Sequence, residues 1–126
     1  MWEYYQPNPV RTDPVGDCTV RALSKALDID WETAHVMLDY ASYMMGDISN
    51  SNAVIAAVLR QNGFYRGNFP EDCDACLTAE EFTQAFPSGT YLLGFGNHVA
   101  TVVDGVLYDS WDSSGEVPLY FFRKGE

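Results

Sequence analysis

The sequence predicts an α+β fold in which an N-terminal helical half packs on a C-terminal antiparallel sheet. Three observations carry that expectation. Apolar residues recur at helical spacing from Val20 to Leu59, and from Thr90 onward short β-rich runs replace that period. Between two of those runs lies Asp104-Gly105, the strongest local hairpin signal in the chain. With 126 residues, 47% of them hydrophobic and 14% aromatic, the chain fits a single domain, 1–126, with one core and no need of disulfides or metal.

Pro7, Pro9, the Asp13-Pro14 pair and Gly16 make an extended loop that stops just before Asp17 and Cys18. Val20, Leu23, Ala26 and Leu27 then predict a helix from about Cys18 to Asp28, with Asp17 as its N-cap. Asp30 caps a second helix that carries Trp31, Ala34, Met37, Leu38, Ala41 and Met44 or Met45 inward and ends near Gly46. A third begins at Ser51 or Asn52, buries Val54, Ile55, Val58 and Leu59, and closes at Gly63. Residues 64–76 read as irregular. Thr78 opens a short helix with Glu81 in capping-box position, stopping before Pro87. Strands are expected over Tyr91–Phe95, His98–Val103, Val106–Trp111 and Leu119–Arg123.

A formal net charge of −11 and a pI near 4.3 argue against nucleic acid as a partner, since phosphate binding rests on clustered Lys and Arg. No apolar run is long enough to cross a membrane, and the opening residues lack a basic start followed by an apolar segment. A cytoplasmic location is the expectation. Three cysteines is an odd count, so a disulfide framework is not expected and at least one thiol should be free.

Cys18, at the start of a helix, occupies a position where free N–H groups and the helix dipole favour a thiolate. A buried structural cysteine is the plain alternative. The hairpin bears on this choice. If Val103 faces Val106, then His98, Ala100, Val102, Leu107, Asp109 and Trp111 share one face, and Asp109 is the diagonal neighbour of His98. A carboxylate there would fix the ring's tautomer while the other nitrogen addresses a nucleophile, with Trp111 covering the pair. A surface His–Asp pair of little consequence is the alternative. Asp104 belongs to the turn, and Asp112 should point to the opposite face.

Taken together, Gly16-Asp17-Cys18, Asn97-His98 and Asp109-Ser110-Trp111 resemble the papain-like cysteine peptidase superfamily. The chain is similar to short papain-like proteins of bacteria and bacteriophage, and to the double-glycine leader peptidases of bacteriocin exporters. The resemblance implies a papain-like α+β domain with its cleft between helices and sheet. It implies a Cys18–His98–Asp109 triad, with Asp109 where papain has Asn, acting on a peptide or protein substrate without cofactor or metal. One departure stands out. The family carries Gln or Asn five or six residues before the cysteine to support the oxyanion, and those positions here are Thr12 and Asp13. An ionised Asp13 would repel negative charge; Thr12, Asn8, Gln6 or backbone N–H groups at the helix start are the available donors. A papain-like module that binds a partner protein without turnover is therefore the second expectation.

Other signals carry less. Cys73 and Cys76 form a CxxC, but a structural zinc needs about four ligands and no second pair is present, so two ordinary thiols are expected. His35 reads as a partly exposed helix residue, and Met44-Met45 with the nearby tyrosines as core and groove lining. Gly94-Phe95-Gly96 is too short for a phosphate loop.

Overall fold

A computed structural model describes residues 1–11, 16–69 and 76–125. Thr12, Asp13 and Cys73 lie outside the described residues. Among those described are six strands and four helices: β1 (Trp2–Tyr4), α1 (Cys18–Leu27), α2 (Trp31–Met45), α3 (Asn52–Gln61), β2 (Phe64–Asn68), α4 (Ala79–Ala85), β3 (Thr90–Gly94), β4 (Val99–Val103), β5 (Val106–Asp109) and β6 (Tyr120–Lys124). The fold is α+β, as expected. No helix among the described residues is long and apolar enough to cross a membrane.

Local chemistry explains the helix boundaries. The Asp30 and Ser51 side chains accept from the N–H of Thr33 and Val54, each satisfying one of the orphan donors of a helix start. Thr78 and Glu81 form the reciprocal capping box. Gly46 ends α2 in the left-handed region at φ 68°, where a side chain would be strained.

The strands form one mixed sheet in the order β1-β5-β4-β3-β6-β2. Its hairpin has the expected register: Val103 faces Val106 across Asp104 and Gly105, both at positive φ, as a two-residue type I′ turn requires. Two expectations fail. Residues 64–68 are not irregular but form β2, antiparallel to β6, and β1 runs parallel to β5, so the sheet is mixed rather than antiparallel. Both missed strands lie at edges and take their order from pairing: Gly67 receives the Phe121 ring of β6, and the three residues of β1 carry almost no periodicity.

Side-chain alternation divides the core in two. Leu92, Val99 and Phe122 pack with α1, α2 and α3, through residues such as Leu23, Leu38 and Ile55. Tyr91, Leu93, Ala100, Val102 and Leu107 pack on the opposite face beneath Phe82 of α4. Helices thus cover both faces rather than one. Met44 and Met45 are not core: both are exposed, as are Val36, Tyr40 and Tyr43, because α2 turns Ala34 and Leu38 inward instead.

Candidate active site

The start of α1 meets the entrance of β4 at Cys18 and His98. Leu23 and Ala22 seat α1 in the core, and Thr101 of β4 donates its hydroxyl proton to the Ala22 carbonyl at 2.7 Å, fixing the helix against the strand. His98 stands one residue before β4, where its carbonyl accepts from the Phe95 N–H at 2.8 Å. The imidazole Nε2 lies 2.6 Å from Asp109 Oδ2 at the end of β5. The Cys18 side chain and the ring line the same cleft and interact; with Nε2 committed to Asp109, Nδ1 is the nitrogen available to the thiol. His98 and Asp109 therefore meet as the hairpin register predicts, and the placement of α1 brings Cys18 to them.

Asp109 is fully buried, and its carboxylate is saturated. Oδ2 accepts from His98 and from the Ser113 hydroxyl at 2.6 Å; Oδ1 accepts from the Ser110 N–H at 2.8 Å and from Arg21 Nη2 at 3.1 Å. Burial pushes this carboxyl up, but the hydrogen bonds from His98 and Ser113, the His98 charge and the Ser110 N–H outweigh it and hold the group below its usual 3.8. For His98, burial disfavours the imidazolium. The Asp109 and Cys18 hydrogen bonds and charges overcome that and push it up to about 9. Burial likewise raises Cys18, whereas the hydrogen bonds of His98 and the Val99 N–H, with the positive charges of His98 and Arg21, bring it below its ordinary 9.0. Such opposed shifts favour a thiolate–imidazolium pair over two neutral groups.

Trp111 lies beyond the end of β5, yet its ring centroid is 5.0 Å from that of His98. Phe95 flanks the same imidazole at 5.9 Å. Trp111 is 44% exposed, so it lies against His98 without sealing it from water.

Asp17 departs from expectation. It holds the N-cap position of α1 but makes no side-chain capping bond. Instead its Oδ1 accepts from Arg21 Nη1 at 2.6 Å, and its Oδ2 from Trp31 Nε1 at 3.0 Å and Asn8 Nδ2 at 3.3 Å. A buried cation draws it away from the helix start more strongly than neutral N–H groups hold it. Asn8 and Gln6 are occupied within their own loop: Asn8 Oδ1 accepts from the N–H of Val10 and Arg11, and Gln6 Oε1 from that of Asn8. Neither lines the cleft at Cys18. Thr12 and Asp13, at the positions where the resemblance expects the oxyanion-supporting Gln or Asn, are outside the described residues.

That cleft, of about 510 Å³, is lined by Cys18 and His98 together with Ile48, Asn50 and Ser51 of the α2–α3 connection and Asn52 at the start of α3. Asn50, Asn52 and Asn97 line it with amide side chains, and Ile48 supplies an exposed apolar edge. A smaller hollow of about 200 Å³ lies on the far side of His98, between Trp111 and Val117.

Remaining sequence signals fall away from this site. Asp112 accepts from Ser114, Asp104 accepts from the Gly89 N–H beside the hairpin, and His35 pairs with Asp39 on α2 at 2.8 Å. Arg21 and Ser113 were not anticipated. Arg21 had a visible mark, a basic residue four positions after Asp17 on a predicted helix. Ser113 had none, since it follows the strand where no period applies.

Comparison with known proteins adds no relative: no family model, curated protein or solved structure matches the chain.

Proposed function

We propose that the chain is a cysteine peptidase, or a related amide-bond hydrolase, of papain-like architecture that cleaves peptide or isopeptide bonds. One observation carries this reading: a single imidazole that hydrogen-bonds a buried carboxylate through one nitrogen lies beside the Cys18 thiol in the same cleft. Nucleophile, base and orienting group stand in the order that acyl transfer needs. A thiol leading a helix, followed by a histidine at the entrance of one strand and a carboxylate at the end of the next, is also the arrangement that the papain-like resemblance implies.

In this mechanism the Cys18 thiolate attacks the substrate carbonyl carbon, and the electron pair of the C=O bond moves to oxygen. First-turn N–H groups of α1, not capped by the Asp17 side chain, favour that developing charge. The tetrahedral species collapses as the C–N bond breaks, and His98 gives its proton to the leaving amine. Water then attacks the thioester, His98 takes up the water's proton, and the released acid regenerates the thiolate. Asp109 stays ionised throughout and keeps the ring aimed. The cleft beside Cys18, with its three asparagine amides, offers donors and acceptors suited to a peptide main chain.

Competitive alkylation tests the reading. With limiting iodoacetamide near neutral pH, Cys18 should be modified well before Cys73 and Cys76, and His98→Ala should abolish the preference. Equal slow labelling of all three thiols would rule out an activated nucleophile. A second reading, a papain-like module that binds a partner protein without turnover, is favoured by the exposed apolar stripe of Val36, Tyr40, Tyr43 and Met44 on α2. Equal labelling, together with loss of partner capture in Tyr40→Ser/Tyr43→Ser, would select it.

A further inference from the structure

We propose that Arg21 is a positioning residue for this site, holding Asp109 as an anion aimed at His98 while drawing Asp17 off the first turn of α1. The inference rests on the triad reading and extends it to a residue that never touches substrate. Arg21 is 3% exposed, and its guanidinium spans two carboxylates that are themselves 8% and 0% exposed. Nη1 takes Asp17 and Nη2 takes Asp109, so one planar fork ties the residue preceding the nucleophile to the residue orienting the base.

Charge counting shows what depends on it. With the thiolate–imidazolium pair formed, Asp17, Asp109 and Cys18 are negative and Arg21 and His98 positive, a net of one negative charge. Without Arg21 the same groups carry two, in a region from which water is largely excluded. Two such carboxylates do not both stay ionised and in place. If Asp109 takes up a proton, it loses its hold on the imidazolium. If Asp17 swings away, the nearest donors are the N–H groups of the α1 first turn, where an N-cap aspartate ordinarily binds. Its charge would then sit beside the thiolate and the developing oxyanion. Both routes weaken Cys18 as a nucleophile. A residue that merely fastens α1 to β5 would do neither.

The test is the pH profile of iodoacetamide alkylation at Cys18, read by peptide mass spectrometry, alongside a melting curve for each protein. The set comprises wild type, Arg21→Lys, Arg21→Met and the double variant Asp17→Asn/Arg21→Met. Arg21→Met should move the acid limb of the profile upward by about one pH unit, roughly a tenfold loss of rate below the limb. Arg21→Lys keeps the charge without the two-way fork and should move it part of the way. The double variant returns the site to a net of one negative charge, so both its melting point and its limb should move back toward wild type. A folded double variant whose limb stays where Arg21→Met puts it overturns the proposal. If the double variant does not fold, an unmoved limb in Arg21→Lys does so alone. Failure of the triad reading looks different: wild-type Cys18 itself would titrate as an ordinary thiol, and His98→Ala would leave it unchanged.

Discussion

Asp109 accepts hydrogen bonds from His98, Ser113, Ser110 and Arg21, two on each oxygen, so neither rotation nor proton uptake is open to it without losing a partner. Asp109→Ala would orphan the buried Arg21 as well as release His98. Stability should drop by about 3 kcal/mol or more in urea denaturation, and any hydrolytic rate should fall roughly a thousandfold in the protein that still folds. A turnover number unchanged by the substitution would remove Asp109 from the mechanism. Proton linkage yields a second prediction. The raised His98 value contributes stability that is fully present below pH 6.5 and is lost as pH rises through about 9. The lowered Cys18 value contributes stability that is present above pH 9.0 and is lost as pH falls through its folded value. Where the two windows overlap, the folded pair holds one proton, on the imidazolium, and the unfolded pair holds one, on the thiol. Their slopes cancel. Cys18→Ala removes one side of that balance, so its urea midpoint should decline from pH 6.5 to pH 9 more steeply than that of the wild type. Parallel curves for the two proteins would contradict the ion pair.

At the level of elements, strand contacts with glycine are the most exposed to test. A Cβ on Gly94 would overlap the Tyr120 ring, on the strand paired with it. Gly94→Ala should therefore push the Tyr120 ring out of its place beside the helix-side core and cost about 1–3 kcal/mol, measured by chemical denaturation. An unchanged midpoint would mean the ring relocates freely. Elements with local signatures were legible from sequence: the Thr78–Glu81 box, the Asp30 cap and the Asp104-Gly105 turn each depend on neighbours within a few positions. What escaped was decided by distant partners. β1 and β2 are strands because β5 and β6 lie beside them, and Asp17 abandons its cap because Arg21 is buried between it and Asp109. The exposure of Tyr40, Tyr43 and Met44 was missed for a different reason. The apolar residues of α2 extend round more than one face, and periodicity alone does not choose which face packs.

For the molecule as a whole, the sheet order makes β5, β4, β3 and β6 interior strands, with β1 and β2 at the edges. Hydrogen exchange should grade accordingly, slowest at Leu92 and Leu93 of β3 and fastest among the strands at Trp2–Tyr4. Comparable protection of β1 and β3 would mean that the parallel edge is as firmly held as the centre. The site's two halves were legible because one rests on a helix start and the other on a hairpin, both of which leave marks in sequence. Their meeting was not, since it depends on how α1 lies across β4 and β5.

The separation of those halves along the chain bears on how the thiol behaves during synthesis. Cys18 leaves the ribosome far ahead of His98, Asp109 and Ser113, and its low titration point draws mainly on the first of these. A nascent chain arrested before the hairpin would carry an ordinary, sluggish sulfhydryl. Reactivity would switch on only after the last of these residues had emerged and β5 had closed against β4, which keeps a half-made polypeptide from attacking its neighbours.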